Sequence, residues 1–189
     1  MLNITLDTAG IMDLVRALEA TGKRLPSAQA LVLNRVGTRT RQVVVPTLVR
    51  QTGLSKRIIT KAVRMYRASP QNSVVSLYTR GGDISLKYFN AREENGGVAA
   101  AVKGDRIAIR GAFRRSGPRG NRFAVARLNG HVYVNEDGGR WRGHIRKVKS
   151  GVLIPAEMIR GATKDAFLEV VSRELPAEIA RELAKTLPR

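Results

Sequence analysis

Hydrophobic residues recur at the spacing of an α-helix through the first third of the chain. A first helix is predicted from apolar residues at positions i, i+3, i+4 and i+7, which are Ile11, Leu14, Val15 and Leu18. Pro26 suits the first turn of a second helix that runs toward Val45. We expect Pro46 to kink or interrupt that helix and Gly53 to end it.

A third helix is predicted after Ser55, which is a candidate N-cap. Its apolar residues fall on one helical face, and they are Ile58, Ile59, Ala62, Val63 and Tyr66. Arg57, Lys61 and Arg64 line the opposite side and form a secondary basic face. Two interpretations of that face stay open: a solvated helix surface, or a stripe that binds phosphates or an acidic neighbour.

From residue 69 onward the hydrophobic period changes to two, which predicts short strands. The predicted strands are residues 73–80, 84–89, 98–103, 106–110, 123–128 and 132–134. Glycine-bearing turns that favour positive φ lie at 81–83, 103–105 and 128–130. Because these connections are too short for crossovers, the strands should form an antiparallel meander.

Past Pro155 the pattern is helical again, although Pro176 is expected to kink or split this last helix. Its apolar stripe includes Phe167, Val170, Ile179 and Leu183. The helix carries balanced charge beside this stripe, so it is the predicted surface for packing between subunits or for axial docking.

These elements predict an α+β fold in one domain over residues 1–189. A helical amino-terminal half (1–68) and a C-terminal helix (155–189) pack on an antiparallel sheet with an arginine-rich loop (69–154). The sequence has no internal repeat, low-complexity segment or evident flexible linker.

Charge is distributed very unevenly along this chain. Residues 1–70 hold 12 Lys/Arg against 3 Asp/Glu, and residues 71–155 hold 16 against 6. Residues 156–189 hold 6 of each, so the formal net charge of +19 lies entirely in the first 155 residues. Arginine outnumbers lysine by 25 to 9, which favours bidentate contacts to phosphate or carboxylate. A high-GC genome would enrich arginine equally well.

Five arginines lie within residues 110–122, a segment that contains no acidic residue. They are Arg110, Arg114, Arg115, Arg119 and Arg122. Three glycines and a proline make the segment too polar and irregular for a core, and Phe113 is expected to anchor it. We predict that these arginines contact DNA or an acidic protein surface, the alternative being a solvated loop.

No arrangement of residues predicts catalysis or a cofactor. The chain has no cysteine, and His131 and His144 lack the spacing of a metal pair. The acidic residues of the predicted sheet are scattered over turns, and neither a GxSxG motif nor a P-loop occurs. We therefore expect a protein that is not an enzyme and needs no metal or cofactor.

Recognition of specific nucleic-acid sequences is not predicted either. Aromatic residues make up 5% of the chain, no basic strand is expected to carry interleaved aromatics, and no Cys/His finger exists. Any DNA contact should therefore be to the phosphate backbone. Because no apolar run reaches the roughly 18–20 residues that cross a bilayer, and no leader pattern opens the chain, we expect synthesis in the cytosol and no membrane partner.

Several short motifs follow one another in a characteristic order between residues 25 and 185. They are ALVLNR (30–35), GLSKRIITK (53–61), LKYFNAR (86–92), GVAAAVK (97–103), GAFR (111–114) and Arg127. Taken in this order, they resemble the minor tail protein Z family of lambda-like phages and prophages. In members of the family, an Arg-Leu-Pro-Ile-like strand often precedes the last helix. This chain has a different sequence there, at residues 143–155.

The resemblance implies a structural virion protein that completes the tail at its head-proximal end. Its partners would be further copies of itself in a homo-oligomeric ring, for which a hexamer is one candidate, other tail or neck proteins, and passing genomic DNA. Its location would be the virion, after assembly in the host cytoplasm. A cytosolic protein that binds nucleic acid without sequence preference is the alternative.

Overall fold

The structure is a computed structural model that describes residues 2–5, 25–94, 96–117, 123–136 and 144–186. Its α-helices in these ranges are α1 (Leu25–Thr52), α2 (Lys56–Ala62), α3 (Ile154–Met158) and α4 (Gly161–Thr186). The strands are β1 (Leu2–Thr5), β2 (Val63–Tyr66), β3 (Ser76–Thr79), β4 (Arg92–Glu94), β5 (Gly97–Val102), β6 (Asp105–Arg110), β7 (Tyr133–Asn135) and β8 (Ile145–Lys147).

Helices and antiparallel sheets together confirm the predicted α+β class. The described strands form three small sheets, with orders β1-β3-β2, β4-β5-β6 and β7-β8, where the sequence predicts one meander. All of these pairings are antiparallel. The predicted helix around Ile11 and Leu18 lies outside the described residues.

The helix α1 continues through Pro46 without interruption. It ends at Thr52, directly before Gly53, and this end agrees with the prediction from the sequence. Gly53 has φ +76°, and its N–H donates to the Val49 carbonyl at 2.9 Å. Pro46 does not interrupt the helix because it lies on the exposed side, where the carbonyl left without a donor can be hydrated. The exposed Pro176 is accommodated in α4 in the same way.

The third predicted helix is shorter than its apolar pattern indicates. It ends at Ala62, and Val63–Tyr66 form the strand β2, which pairs with β3. Val63 is β-branched and fully buried, and it begins an alternation in which residues 63 and 65 face inward while 64 and 66 face outward. The correction moves Arg64 and Tyr66 onto the same sheet face.

Two predicted strands are short 3₁₀ turns instead. Leu86–Tyr88 replaces most of the strand predicted at 84–89, and Ala126–Leu128 replaces the strand predicted at 123–128. Each turn buries one leucine, Leu86 or Leu128, and an asparagine with positive φ follows it, Asn90 at +50° and Asn129 at +46°. Short apolar runs fit a turn and a strand equally well, so their periodicity could not separate the two. The strands β1, β4 and β8 were not predicted.

The core lies between α1, α4 and the inward faces of the sheets. Its fully buried side chains include Leu33, Leu48, Ile59, Leu77, Phe89 and Met158. At Gly37 a Cβ atom would lie 2.5 Å from Val75 Cγ1, so α1 needs a glycine there to pass close to the segment that precedes β3. The β5–β6 hairpin reaches the carboxyl end of α1, where the Lys103 N–H donates to the Thr52 carbonyl at 3.2 Å.

Candidate nucleic-acid interface

Carboxylates of α4 are paired with half-buried arginines of α1. Glu178 is 2% exposed, and its Oε1 lies 2.6 Å from Arg39 Nη1 and 2.8 Å from Arg181 Nη1. Arg39 also lies 2.8 Å from Glu174, and Arg35 lies 3.0 Å from Glu182. We call this set of residues from the two helices the α1–α4 seam.

The seam keeps its buried carboxylates charged. Burial alone would raise the pKa of Glu178, but the hydrogen bonds and charges of Arg39 and Arg181 hold it below its ordinary value. Hydrogen bonds from Arg173 and Arg39 likewise lower the pKa of Glu174 against the effect of burial. These acids are therefore neutralised by partners within the chain and add little negative potential outside it.

Glu157 of α3 is a second internal carboxylate, and it is 3% exposed. It accepts from Lys103 Nζ at 2.8 Å, from Arg160 Nη2 at 2.6 Å and from Gln51 Nε2 at 2.9 Å. Burial opposes the charge, but the bonds from Gln51, Lys103 and Arg160 lower its pKa overall. Because Gln51 also accepts from the Thr163 hydroxyl at 2.7 Å, this cluster joins α1, α3, α4 and the β5–β6 hairpin.

The outward face of the β1-β3-β2 sheet has the opposite character. Arg64 and Tyr78 are paired across β2 and β3, so Tyr66, two positions further along β2, falls on the same face. Arg80 follows directly after the end of β3. With Lys61 at the end of α2 they line a cavity of about 340 Å³. We call these five residues the tyrosine face.

No carboxylate among the described residues lies within ion-pair distance of Lys61, Arg64 or Arg80. All three cations are exposed. The opposite face of the sheet packs its alternate residues into the core, so the cations are held on a fixed surface. This surface therefore presents uncompensated positive charge.

The two tyrosines of this face are stacked on each other. Their ring centroids are 4.2 Å apart and their planes differ by 7°. The interaction between the two side chains is the main cause of a raised pKa at Tyr66 and a lowered pKa at Tyr78. Burial opposes the lowering at Tyr78, whereas the nearby charges of Arg64 and Arg80 add to it.

This arrangement corrects two expectations from the sequence. Basic and aromatic residues do alternate on a sheet face, although no such strand was predicted. The secondary basic face of Arg57, Lys61 and Arg64 is also not one helical stripe, since Arg57 and Lys61 lie on α2 and Arg64 lies on β2. The sequence does contain a sign of this face, because a basic and an aromatic residue are two positions apart in 64–66 and again in 78–80. The helical periodicity of the residues before 66 obscured it.

The arginine-rich loop is described only in part, since Arg119 and Arg122 lie outside the described residues. Arg110 at the end of β6 and Arg115 are exposed, as a contact role requires. Arg114 is different, because its guanidinium donates to the carbonyls of Ala91 and of Gly130, the latter at 3.1 Å.

Arg114 therefore holds the base of the loop to the body and is less available for an external ligand than predicted. The expected anchor, Phe113, also contacts the body. Its N–H and C=O exchange 2.9 Å hydrogen bonds with Tyr133, and the two rings lie 6.3 Å apart.

The predicted subunit-packing residues divide into two pairs. Phe167 and Val170 are buried within the chain's own core, where they offer no surface to a second copy. Ile179 and Leu183 are half-buried. The large apolar residue that α4 exposes in its described part is Leu168, next to the buried stripe.

Ser85 and His131 meet although the sequence gives no sign of it. The serine hydroxyl lies 2.7 Å from His131 Nδ1, and burial together with Lys87 and Lys147 lowers the pKa of the imidazole. Among the described residues no carboxylate bonds to this ring, and none of their acidic and histidine side chains form a group of three suited to a metal. The pair joins two loops of the β-rich half.

No protein-family model matches this sequence, and comparison with curated proteins and with solved structures found no significant match. In the described part of the chain, no helix combines the length and the hydropathy that a membrane span requires.

Proposed function

We propose that this chain is a minor tail protein of a tailed phage or prophage, which completes the tail at its head-proximal end as a homo-oligomeric ring. Its role is structural: it joins tail to neck and lines part of the path of the genome. The resemblance of residues 25–185 to the minor tail protein Z family supports the class of protein. The proposal includes no catalytic step.

The observation that carries the DNA-facing part of this proposal is the separation of paired from unpaired charge. The most buried carboxylates, Glu157 and Glu178, are neutralised by cations within the chain. Exposed cations such as Arg64, Arg80 and Arg115 have no acidic partner among the described residues. A surface of this kind binds phosphates without reading sequence, and its affinity falls steeply with salt.

Several copies in a ring would multiply this weak contact around a common axis. Each copy must bind DNA weakly, because many strong phosphate contacts would stall a passing duplex. The exposed Arg110 and Arg115 suit such contacts, and they suit an acidic neighbouring ring equally well. Arg114 is left out of the contact set because it bonds to backbone carbonyls.

The native mass of the full chain tests this proposal, measured alone and after mixing with purified tails that lack it. We expect a discrete oligomer in at least one condition, and weak duplex binding at physiological salt. Arg110→Ala with Arg115→Ala should keep the fold and reduce either tail completion or DNA binding. A chain that stays monomeric in both conditions and never joins tails would contradict the proposal.

A second candidate is a cytosolic protein that binds nucleic acid without sequence preference and acts alone. The tyrosine face favours it, because stacked aromatics beside cations are typical of surfaces that hold nucleic acid directly. A stable monomer with tight, salt-sensitive binding would support this candidate over the ring.

A further inference from the structure

We propose that the tyrosine face binds single-stranded nucleic acid, with Tyr66 stacking on one base while Lys61, Arg64 and Arg80 contact the adjoining phosphates. The inference rests on this face alone and holds whether or not the chain assembles into a ring. It goes beyond the backbone contacts expected of the arginine-rich loop, because an unpaired base takes part.

Tyr66 has the properties of a stacking platform. One side of its ring rests on Tyr78, yet the residue is 57% exposed, so the other side is open to solvent. Tyr78 is 8% exposed and is held by its central strand. The upper ring is thus ordered before a ligand arrives, which lowers the entropy lost when a base stacks on it.

The cations flank this platform in a fixed arrangement. Residues two apart on a strand are about 6.6 Å apart, so Arg64 lies one such step from Tyr66 on β2. Arg80, the residue after β3, lines the same cavity. Lys61 closes the third side of the cavity from the end of α2. A strand whose base stacks on Tyr66 would place its phosphates beside guanidinium and ammonium groups.

A single strand fits these observations better than a duplex or an acidic protein. In a duplex both faces of each internal base are already stacked, so the open face of Tyr66 would stay unused. An acidic protein surface would satisfy the cations but leave the exposed ring without a partner. The cavity of about 340 Å³ is at the small end of ligand sites, which suits one nucleotide.

The first test measures the binding of the full chain to a labelled oligothymidylate and to a duplex of equal length. Tyr66→Ala should weaken single-strand binding about tenfold, the size expected for one lost base stack, and leave duplex binding unchanged. Tyr66→Phe keeps the ring and should bind as the parent does. Tyr88→Ala is the matched control, because Tyr88 is also exposed beside a lysine but lies off this face.

The second test uses the salt dependence of the same binding. Removing one phosphate contact by Arg64→Gln or Arg80→Gln should reduce the slope of log K against log salt by about 0.7. Arg173→Gln, which changes an exposed arginine of α4, should leave the slope unchanged. If Tyr66→Ala fails to fold, the salt slope of Arg64→Gln still tests whether this face contacts the single strand.

Two results would overturn the inference. One is single-strand affinity that is equal in the parent, Tyr66→Ala and Tyr88→Ala proteins. The other is an unchanged salt slope in both arginine variants of the face. The outcome is separable from that of the ring proposal, since a discrete ring without Tyr66-dependent binding refutes only this inference, and a monomer with such binding refutes only the ring.

Discussion

The α1–α4 seam and the tyrosine face both carry pairs of arginines, but the two regions use them in opposite ways. In the seam, Arg35 and Arg39 face carboxylates at 3.0 Å or less, and Glu178 is buried among them. On the tyrosine face, Arg64 and Arg80 face aromatic rings and no described carboxylate. The first arrangement holds two helices together, and the second leaves positive potential for a ligand.

The difference explains how a protein with a net charge of +19 can fold at all. Its buried acids in the described part of the chain, Glu157 and Glu178, lie where burial makes an ion pair matter most, and they link segments far apart in the chain. Because buried carboxylates are paired and hydrogen-bonded, their charge is stabilised inside the structure. The remaining cations repel each other across the surface, which costs stability and is relieved when a polyanion binds.

Acidification should break the seam and the Glu157 cluster together, which is the largest effect we expect. Glu157, Glu174 and Glu178 all have a pKa below the ordinary value of 4.5 in the folded chain. Their contribution to stability is therefore fully present above about pH 4.5 and is lost as the pH falls through the lowered folded values. Thermal unfolding measured as a function of pH should show the midpoint falling in this window.

A Glu157→Gln variant separates this effect from general repulsion at low pH. It should be less stable than the parent at neutral pH, and the two midpoints should converge on acidification. A difference between the two proteins that stays constant below pH 4.5 would contradict the assignment of a lowered pKa to Glu157.

Removal of one buried carboxylate should have the next largest effect. Glu157→Ala loses the bonds from Lys103, Arg160 and Gln51, and we expect the free energy of unfolding to fall by about 2–3 kcal/mol. Glu169→Ala is the matched control, because the Glu169 side chain is 74% exposed and its pair with Arg173 spans 3.7 Å. That change should stay within about 0.5 kcal/mol. Equal losses from the two variants in denaturant unfolding would refute the distinction between buried and surface pairs.

Features of the fold that depend on neighbouring residues could be predicted from the sequence, whereas those that depend on contacts between distant residues could not. The end of α1 at Gly53 and the tight turn at Lys103 and Gly104 are determined by adjacent residues, and both are confirmed by positive φ. The α+β class follows from periodicities that extend over many residues. These features needed no knowledge of the tertiary contacts.

The two charged regions could not be predicted in the same way. Glu178 and Arg39 are 139 positions apart in the chain, and no local pattern marks either residue as a partner. The sequence pattern places Tyr66 on the apolar face of a helix because positions 58, 59, 62, 63 and 66 fit the helical period. Pairing with β3 imposed the strand alternation, which turned Tyr66 outward.

The smallest effect we expect comes from neutralising the tyrosine face, and its sign is the sharpest test of the comparison. Arg64→Gln with Arg80→Gln should change the free energy of unfolding by no more than about 0.5 kcal/mol, and at low salt the change should be stabilising because repulsion is relieved. Arg35→Gln with Arg39→Gln removes the same charge from the seam and should lower the midpoint by several degrees. If both double variants lose stability equally at low salt, the arginines of the tyrosine face support the fold as those of the seam do, and the contrast between the regions fails.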